Sequence, residues 1–229
     1  MKVLITGAAG SVGTVLSKGL RERHTLRGLD RQPMPELEDM VVGNIADFDT
    51  VLGAAQGMDG IVHLATYMGN GDDWEDFSTS TLTGTYNVFE AARRQGVRRV
   101  AFASTIGFDW PDLEPGLRTP DMPIHPSFFY RLGKLYGQQL GYMYAHRHGL
   151  EVVCVRIGGF EPEPKRPTGH AELSSLDTVR VFERALIHPG VSYEVVFGVS
   201  AQAAPGFDLD PGRNGIGYEP LDLSEYPQE

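Results

Sequence analysis

A tyrosine and a lysine stand four residues apart near the middle of the chain, in a stretch with helical character, residues 126–148. On a helix, Tyr130 and Lys134 share a face, so the ammonium group can lie beside the phenol. A free phenol has a pKa of about 10 and is a poor proton acceptor at neutral pH, but a nearby positive charge favours the phenolate. Such a tyrosine can take the proton of an alcohol while hydride leaves the carbon that bears it. The pair is therefore a candidate for catalysis, the alternative being a surface tyrosine one turn from a lysine.

A glycine-rich turn at residues 7–13 (GAAGSVG) follows an apolar run and opens a predicted helix at residues 14–23. Glycines at its first, fourth and seventh positions allow a tight turn, close approach of a pyrophosphate and tight packing of the helix on the strand. The N–H groups and the positive dipole end of the helix then face the phosphates. An ordinary tight turn can have the same spacing, but a position between the first strand and the first helix is typical of a dinucleotide site.

An acidic residue ends the second predicted strand, Thr25–Asp30. Asp30 lies about twenty residues beyond the glycine turn, where a carboxylate can accept hydrogen bonds from an adenosine ribose. Because the same carboxylate repels a 2′-phosphate, it favours NAD over NADP. Arg31 follows and partly offsets that preference, and Asp30 could instead be a simple turn residue at a strand end.

Composition restricts the class of protein. The 229 residues are 41% hydrophobic and 22% charged, which is typical of one globular domain with at most a small appendage. A net charge of −10 disfavours binding to nucleic acid or to an anionic membrane. The single cysteine, Cys154, excludes an internal disulfide and favours a reducing, cytoplasmic location. The apolar start is too short to span a bilayer and lacks the features of a signal peptide.

Strand and helix patterns alternate along the chain, which predicts a parallel sheet covered on both faces. We therefore expect an α/β fold, a doubly wound parallel sheet of the Rossmann type. Residues 1–157 would form a nucleotide-binding domain, and residues 158–229 a small substrate-binding and lid region packed on it as one compact unit. Ligands of such folds bind at the carboxyl edge of the sheet, where the loop at 67–77 is either functional or a mere connection. The loop at 109–125 is too long to be a mere connection, which favours a function. Further strands are predicted at 40–43, 60–64, 98–103, 151–156 and 193–199, and further helices at 46–55, 78–95, 126–148 and 174–187.

Gly133, Gly137 and Gly141 recur at every fourth position of the helix that carries Tyr130. Each interior glycine costs a helix roughly 1 kcal/mol relative to alanine, so a close approach on this face is expected. We favour close packing against the sheet or the cofactor, with a homodimer through this helix as the second interpretation.

Taken together, the glycine turn, Asp30, Ser104-Thr105 and Tyr130-x-x-x-Lys134 resemble the extended short-chain dehydrogenase/reductases, the NAD-dependent epimerase/dehydratase family. The likeness covers nearly the whole chain, from MKVLITGAAGSVG through GTYNVFEAAR and YRLGKLYGQQL to LEVVCVRIGGFEPEP. The last of these, with FGVSA and GIGYEPLD, looks most like the uronate dehydrogenase branch, whose members oxidise hexuronic acids at C1 to aldarolactones using NAD.

The resemblance implies Tyr130 as the proton acceptor, with Lys134 lowering its pKa and holding the nicotinamide ribose. Thr105, supported by Ser104, would hydrogen-bond the reacting oxygen. The implied cofactor contacts are Gly7, Gly10, Ser11, Val12, Gly13, Asp30, Arg31, Asn44, Ile45, Leu64, Ala65, Thr66, Tyr130, Lys134 and Ile157, and the implied substrate contacts are Met68, Thr105, Gly159, Arg166 and Thr168.

Three positions depart from the family pattern. Thr81 stands where the family helix usually carries an asparagine, and Met68 where uronate dehydrogenases place a serine against the sugar. Their carboxylate-gripping arginine falls near Thr168, with Lys165 and Arg166 just upstream. Because a threonine cannot match a carboxylate bidentately, a neutral sugar or another alcohol becomes credible unless Arg166 reaches the substrate.

The sequence therefore predicts an NAD-dependent oxidoreductase that removes hydride from a sugar or sugar-acid alcohol and needs no metal. The seven histidines form no convincing ligand spacing with cysteine or acids. One alternative is a nucleotide-sugar epimerase or dehydratase, which would need more basic residues after Ile157 for a diphosphate. Another is a non-catalytic NAD-binding sensor. The expected partners are a small-molecule substrate and a second copy of the chain, with neither nucleic acid nor membrane.

Overall fold

The computed structural model describes residues 1–68, 73–108, 117–160, 162 and 172–221. Within these residues, seven strands form one parallel sheet in the order β3-β2-β1-β4-β5-β6-β7. The strand order reverses between β1 and β4, which creates a crevice at the carboxyl ends of the strands, the usual ligand position in doubly wound sheets. The strands are β1 (Lys2–Thr6), β2 (Thr25–Asp30), β3 (Asp39–Val42), β4 (Gly60–His63), β5 (Arg99–Thr105), β6 (Glu151–Ile157) and β7 (Tyr193–Gly198).

Helices cover both faces of this sheet, which is the predicted Rossmann-type architecture. Apolar residues of α1 and α6 pack on one face, and those of α2, α4 and α5 pack on the other. A π-helical turn (Ser78–Thr83) joins α3 to α4, and a short 3-10 turn (Ala204–Gly206) precedes α7. The helices are α1 (Ser11–Leu20), α2 (Phe48–Ala55), α3 (Trp74–Phe77), α4 (Gly84–Gln95), α5 (Phe129–His148), α6 (Ser175–Ile187) and α7 (Asp210–Ile216).

The central strands are buried on both faces, as expected for a parallel sheet whose strands are continuous apolar runs. Arg99 is a buried exception at the amino end of β5. Its guanidinium donates to the Glu151 carboxylate at 2.8 Å and to the carbonyls of Ala185 and His188 at 2.7 and 2.9 Å. These bonds satisfy the charge and tie the sheet to the end of α6.

The glycines of α5 pack closely on neighbouring side chains. A Cβ added at Gly133 would lie 2.4 Å from Cγ2 of Thr81, and one at Gly137 would lie 2.1 Å from the Phe102 ring. At Gly141, the added Cβ would lie 2.9 Å from the Val152 side chain. Close packing within the chain therefore accounts for all three glycines.

Residues after position 157 extend the same sheet, since β7 pairs directly with β6 and α6 packs into the shared core. The division at residue 157 therefore stays a prediction about function. The predicted strands are all present, but α7 was not predicted, because Pro and three Gly within residues 210–217 hide any helical pattern. Tyr218 fixes this region by burying its ring and donating to the Val199 carbonyl at 2.8 Å.

Some expectations fall outside this description. Arg166 and Thr168 lie outside the described residues, and the loops at 67–77 and 109–125 are described only in part. No helix in the described ranges is both long enough and apolar enough to cross a membrane.

Candidate active site

A cavity of about 750 Å³ opens at the carboxyl edge of the sheet and joins the glycine turn to Tyr130 and Lys134. Every residue predicted to contact the cofactor contributes to its wall, as do three of the predicted substrate contacts, Met68, Thr105 and Gly159. Residues from distant parts of the chain thus meet at one site, because the carboxyl ends of β1, β2, β4, β5 and β6 share one edge.

The glycine turn is a conformation that only glycine fits. Gly7 has a φ of +74°, and an added Cβ would lie 2.8 Å from the Ala65 nitrogen. At Gly13, an added Cβ would lie 2.3 Å from the Gly7 carbonyl oxygen and 2.5 Å from that of Ala8. Gly10 is the N-cap of α1 and provides no side-chain cap. The turn therefore presents bare backbone and a helix N-terminus to the cavity, a suitable setting for phosphate groups.

Backbone donors orient the Asp30 carboxylate at the end of β2. One of its oxygens accepts the Ala9 N–H at 3.1 Å, and the other accepts the Gln32 N–H at 3.0 Å. The Gly7 N–H also donates to the Leu29 carbonyl at 2.8 Å, which ties the turn to this strand end. The acid thus lies beside the glycine turn, where a dinucleotide's adenosine ribose is expected.

Asn87 of α4 holds the wall segment that contains Asn44 and Ile45. Its side-chain amide donates to the carbonyls of Ile45 and Ala46, each at 2.9 Å. Gly84 lies against the same segment, since an added Cβ would be 2.5 Å from Cδ1 of Ile45. Sequence reasoning missed Asn87, although it stands within GTYNVFEAAR, because nothing local indicates what its amide contacts.

The phenol, a threonine hydroxyl and the amine converge at the other end of the cavity. Tyr130 and Thr105 line the cavity together, and the Thr105 hydroxyl favours the ionised phenol, which lowers its pKa. The Thr105 oxygen also accepts the Gly107 N–H at 2.9 Å. The Lys134 Nζ donates to the Ala103 carbonyl at 2.8 Å and lies 5.5 Å from the centre of the Tyr130 ring. The face of α5 that carries Tyr130 and Lys134 thus lies against the carboxyl end of β5.

Burial dominates the protonation of both groups. It lowers the pKa of Lys134 to about 7. Burial also raises the pKa of Tyr130 above its ordinary value of 10, although the neighbouring Thr105 hydroxyl opposes this shift. Burial and Thr105 account for this shift, and the effect expected of Lys134 on the phenol stays a prediction.

Ser104 lies beneath the site and not in its wall, since successive residues of β5 point to opposite faces of the sheet. Its hydroxyl accepts a hydrogen bond from the Gln138 amide at 2.8 Å. The Gln138 carbonyl oxygen in turn accepts from two nitrogens of Arg156, at 3.2 and 3.1 Å. The structure therefore does not bring Ser104 together with the reacting groups, and instead shows it bonded to α5 one turn beyond Lys134.

Thr81, the residue in place of the family asparagine, lies in the π-helical turn and is buried. Its hydroxyl oxygen accepts the Tyr67 N–H at 2.8 Å and lies 3.4 Å from the Thr66 hydroxyl. It thereby holds the segment that follows β4 against the cavity. Met68 follows Tyr67 in the chain and lines the cavity, with 72% of its surface exposed.

Other wall residues were not predicted. Most flank predicted contacts at strand ends, but Ser80 and Glu172 come from separate segments that no motif singles out. The unpredicted wall residues are Leu29, Gly43, Ser80, Ala103, Ile106, Gly107, Gly158, Phe160 and Glu172.

Among the residues that the structure describes, no group of three or more His, Cys, Asp or Glu is arranged to hold a metal ion.

Comparisons with known proteins agree with this geometry. The uronate dehydrogenase of Pseudomonas syringae pv. tomato is 36% identical over 98% of this chain and 83% of its own length. An NAD-dependent glucose-6-phosphate dehydrogenase of Haloferax volcanii is 31% identical over 97% of this chain and 94% of its own. A crystal structure of a mutant uronate dehydrogenase from Agrobacterium tumefaciens, complexed with NAD, is 31% identical. It superposes with a TM-score of 0.86 and covers 96% of this chain and 84% of that one. The model of the NAD-dependent epimerase/dehydratase family matches residues 3–203, and the chain belongs to that family.

Proposed function

We propose that the protein is an NAD-dependent dehydrogenase that oxidises a hydroxyl group of a sugar or sugar acid. One observation carries the proposal: Tyr130 and Thr105 line the same cavity as the glycine turn and Asp30. The uronate and glucose-6-phosphate dehydrogenases among its relatives support this chemistry.

The cavity suits NAD along its whole length. Gly7, Gly10 and Gly13 offer bare backbone to a pyrophosphate, and Asp30 offers a carboxylate to the adenosine ribose. In this proposal, Ser11 and Val12 complete the phosphate contacts, and Asn44 and Ile45 border the adenine. Leu64, Ala65, Thr66, Lys134 and Ile157 surround the nicotinamide riboside. Because the Asp30 carboxylate disfavours a 2′-phosphate, we expect NAD to bind more tightly than NADP. The positive charge of Arg31 should reduce this difference in affinity.

In the proposed reaction, the Tyr130 oxygen takes the proton of the substrate hydroxyl. The Thr105 hydroxyl holds the reacting oxygen beside it, and α5 fixes the distance between the phenol and the amine. Bound NAD would accept the hydride and supply a positive ring charge. A positive charge beside the phenol lowers its pKa, which opposes the effect of burial. Lys134 would exchange its bond to Ala103 for, or share it with, the ribose hydroxyls.

The test is the absorbance of NADH in a mixture of the protein, NAD and a panel of aldoses and uronates. We expect NADH to accumulate with at least one member of the panel, and NADPH to form more slowly when NADP replaces NAD. Tight retention of NAD without net NADH formation on any sugar would contradict the dehydrogenase and favour an epimerase.

We further propose a cytoplasmic homodimer that associates through α4 and α5. Tyr86, Leu132 and Tyr142 support this, since they expose 43%, 39% and 52% of their surface on these neighbouring helices. The buried free thiol of Cys154 suits a reducing compartment. Sedimentation at micromolar concentration should give the mass of a dimer, and a pure monomer would remove this part of the proposal.

A further inference from the structure

We propose that Glu172 is a specificity-determining residue that excludes sugars carrying a carboxylate, so that the substrate is a neutral aldose. This inference rests on the proposed dehydrogenase function and narrows its substrate class.

Glu172 lies at the reactive end of the cavity. In the sheet, Thr105 of β5 is the register partner of Ile157 of β6, and the Ile106 N–H donates to the Ile157 carbonyl at 3.1 Å. Two residues further on, the Gly159 N–H donates to a Glu172 carboxylate oxygen at 2.9 Å. The carboxylate is therefore held on the wall that continues from the strand beside Thr105, where the sugar would enter.

Backbone bonds fix Glu172 in this place. Its N–H donates to the Gly159 carbonyl at 2.8 Å, and its own carbonyl accepts the Ser200 N–H at 2.8 Å. Gly158 packs against it so closely that an added Cβ would lie 2.6 Å from the Glu172 Cβ. These contacts fix the Glu172 backbone at the wall, and the bond from the Gly159 N–H holds its carboxylate there.

Charge in the described part of the wall is divided between the two ends. Asp30 and Arg31 lie at the adenosine end, beside the glycine turn. At the reactive end, Lys134 already donates to the Ala103 carbonyl, and burial lowers its pKa to about 7. The Glu172 carboxylate thus makes the reactive end of the described wall negatively charged. A carboxylate that enters there meets a like charge, which is a strong element of discrimination.

A neutral sugar makes the opposite use of the same group. A carboxylate can accept about four hydrogen bonds, and the Gly159 N–H uses one of them. Ring hydroxyls or a hydroxymethyl group could donate to the remaining positions.

The experiment compares substrates that share ring hydroxyls and differ only at C5. One set is glucuronate, glucose and xylose, and a second set is galacturonate, galactose and arabinose of matching configuration. The kcat/KM values are measured with saturating NAD for the wild type, Glu172→Gln and a control, Glu194→Gln. The control removes the same charge from a partly buried glutamate near the amino end of β7, at the edge of the sheet opposite the cavity.

We expect the wild type to prefer a neutral sugar over the matching uronate by at least about tenfold. Glu172→Gln keeps an acceptor for the Gly159 N–H and should narrow this preference by about tenfold, mainly through a lower KM for the uronate. Glu194→Gln should leave the preference unchanged. A wild-type preference for uronates would overturn the inference. So would a Glu172→Gln variant whose preference for neutral sugars is as large as that of the wild type.

If no sugar yields NADH, the proposed dehydrogenase fails, and the binding of sugars tests Glu172 separately. Thermal shifts in the presence of NAD would then be compared for glucuronate and xylose. Stabilisation of the wild type by xylose alone, with glucuronate also effective in Glu172→Gln, would support the inference. Equal stabilisation by glucuronate in both proteins would refute it.

Discussion

Replacing Gly13 with alanine should open the glycine turn. The added Cβ would lie 2.3 and 2.5 Å from two backbone carbonyl oxygens, those of Gly7 and Ala8, which cannot rotate away as a side chain could. Overpacking of this kind costs about 1–3 kcal/mol, from which the helical preference of alanine over glycine, roughly 1 kcal/mol, is subtracted. We therefore expect the free energy of unfolding to fall by up to about 2 kcal/mol. Because the displaced carbonyls belong to the proposed pyrophosphate site, NAD should bind at least about tenfold more weakly, equivalent to roughly 1.4 kcal/mol.

The assay is calorimetric titration with NAD, together with urea unfolding of the cofactor-free protein. Gly53→Ala is the matched control, since Gly53 is an exposed helical glycine and an added Cβ there meets nothing within 4 Å. This control should gain about 1 kcal/mol of stability and keep its affinity for NAD. If Gly13→Ala binds NAD as tightly as the wild type does, the glycine turn does not hold the cofactor.

Three further predictions concern the buried groups around the site. Burial lowers the pKa of Lys134 to about 7, so the unfolded chain binds more protons than the folded chain between about pH 7 and 10. The free energy of unfolding should therefore rise with pH across this window in urea titrations, and Lys134→Met should flatten the rise; parallel curves would contradict this. Burial, assisted by Lys134, lowers the pKa of His63 to about 3. Stability should therefore fall as the pH decreases from about 6.5 towards 3, and thermal melts of His63→Gln should show a smaller fall. Gly137→Ala would place a Cβ 2.1 Å from the Phe102 ring, and after the helical preference of alanine is subtracted it should cost up to about 2 kcal/mol in urea unfolding. A gain of about 1 kcal/mol would show that α5 does not pack this closely.

The part of the site that was predicted from the sequence depends on local geometry. A strand, a glycine turn and a helix are consecutive in the chain, so residues 7–13 and Asp30 could be assigned from spacing alone. Tyr130 and Lys134 share a helix face for the same reason. All of these residues except Ala8 and Ala9 line the cavity, because the parallel strands bring their carboxyl ends to one edge.

The remainder depends on contacts between distant segments. Asn87 holds the wall at Ile45 across 42 positions of the chain, and Glu172 meets Gly159 across 13 positions. Neither contact leaves a local pattern. The lowered pKa of Lys134 could not be predicted either, because it arises from burial that only the packed helix α5 creates. The role of Ser104 was inferred from its position in the family pattern alone. That position does not say on which face of β5 the hydroxyl lies, and the structure shows it bonded to Gln138.

The glycines of α5 are an intermediate case. Their four-residue spacing indicated a close approach, but it could not distinguish a second subunit from the sheet. The structure shows Thr81, Phe102 and Val152 in contact with this face. The same spacing would suit either neighbour, because a helix row of glycines specifies only that the neighbour is close.

The central claim is that the Tyr130 oxygen accepts the proton of the alcohol. Tyr130→Phe removes that oxygen and leaves the ring, so the fold and the glycine turn should be retained. We predict that kcat/KM for NADH formation falls by about 100-fold to 10,000-fold while the affinity for NAD stays within about twofold of the wild type. A variant that retains most of its NADH formation would contradict the account, because the cavity would then carry out its chemistry without the phenol.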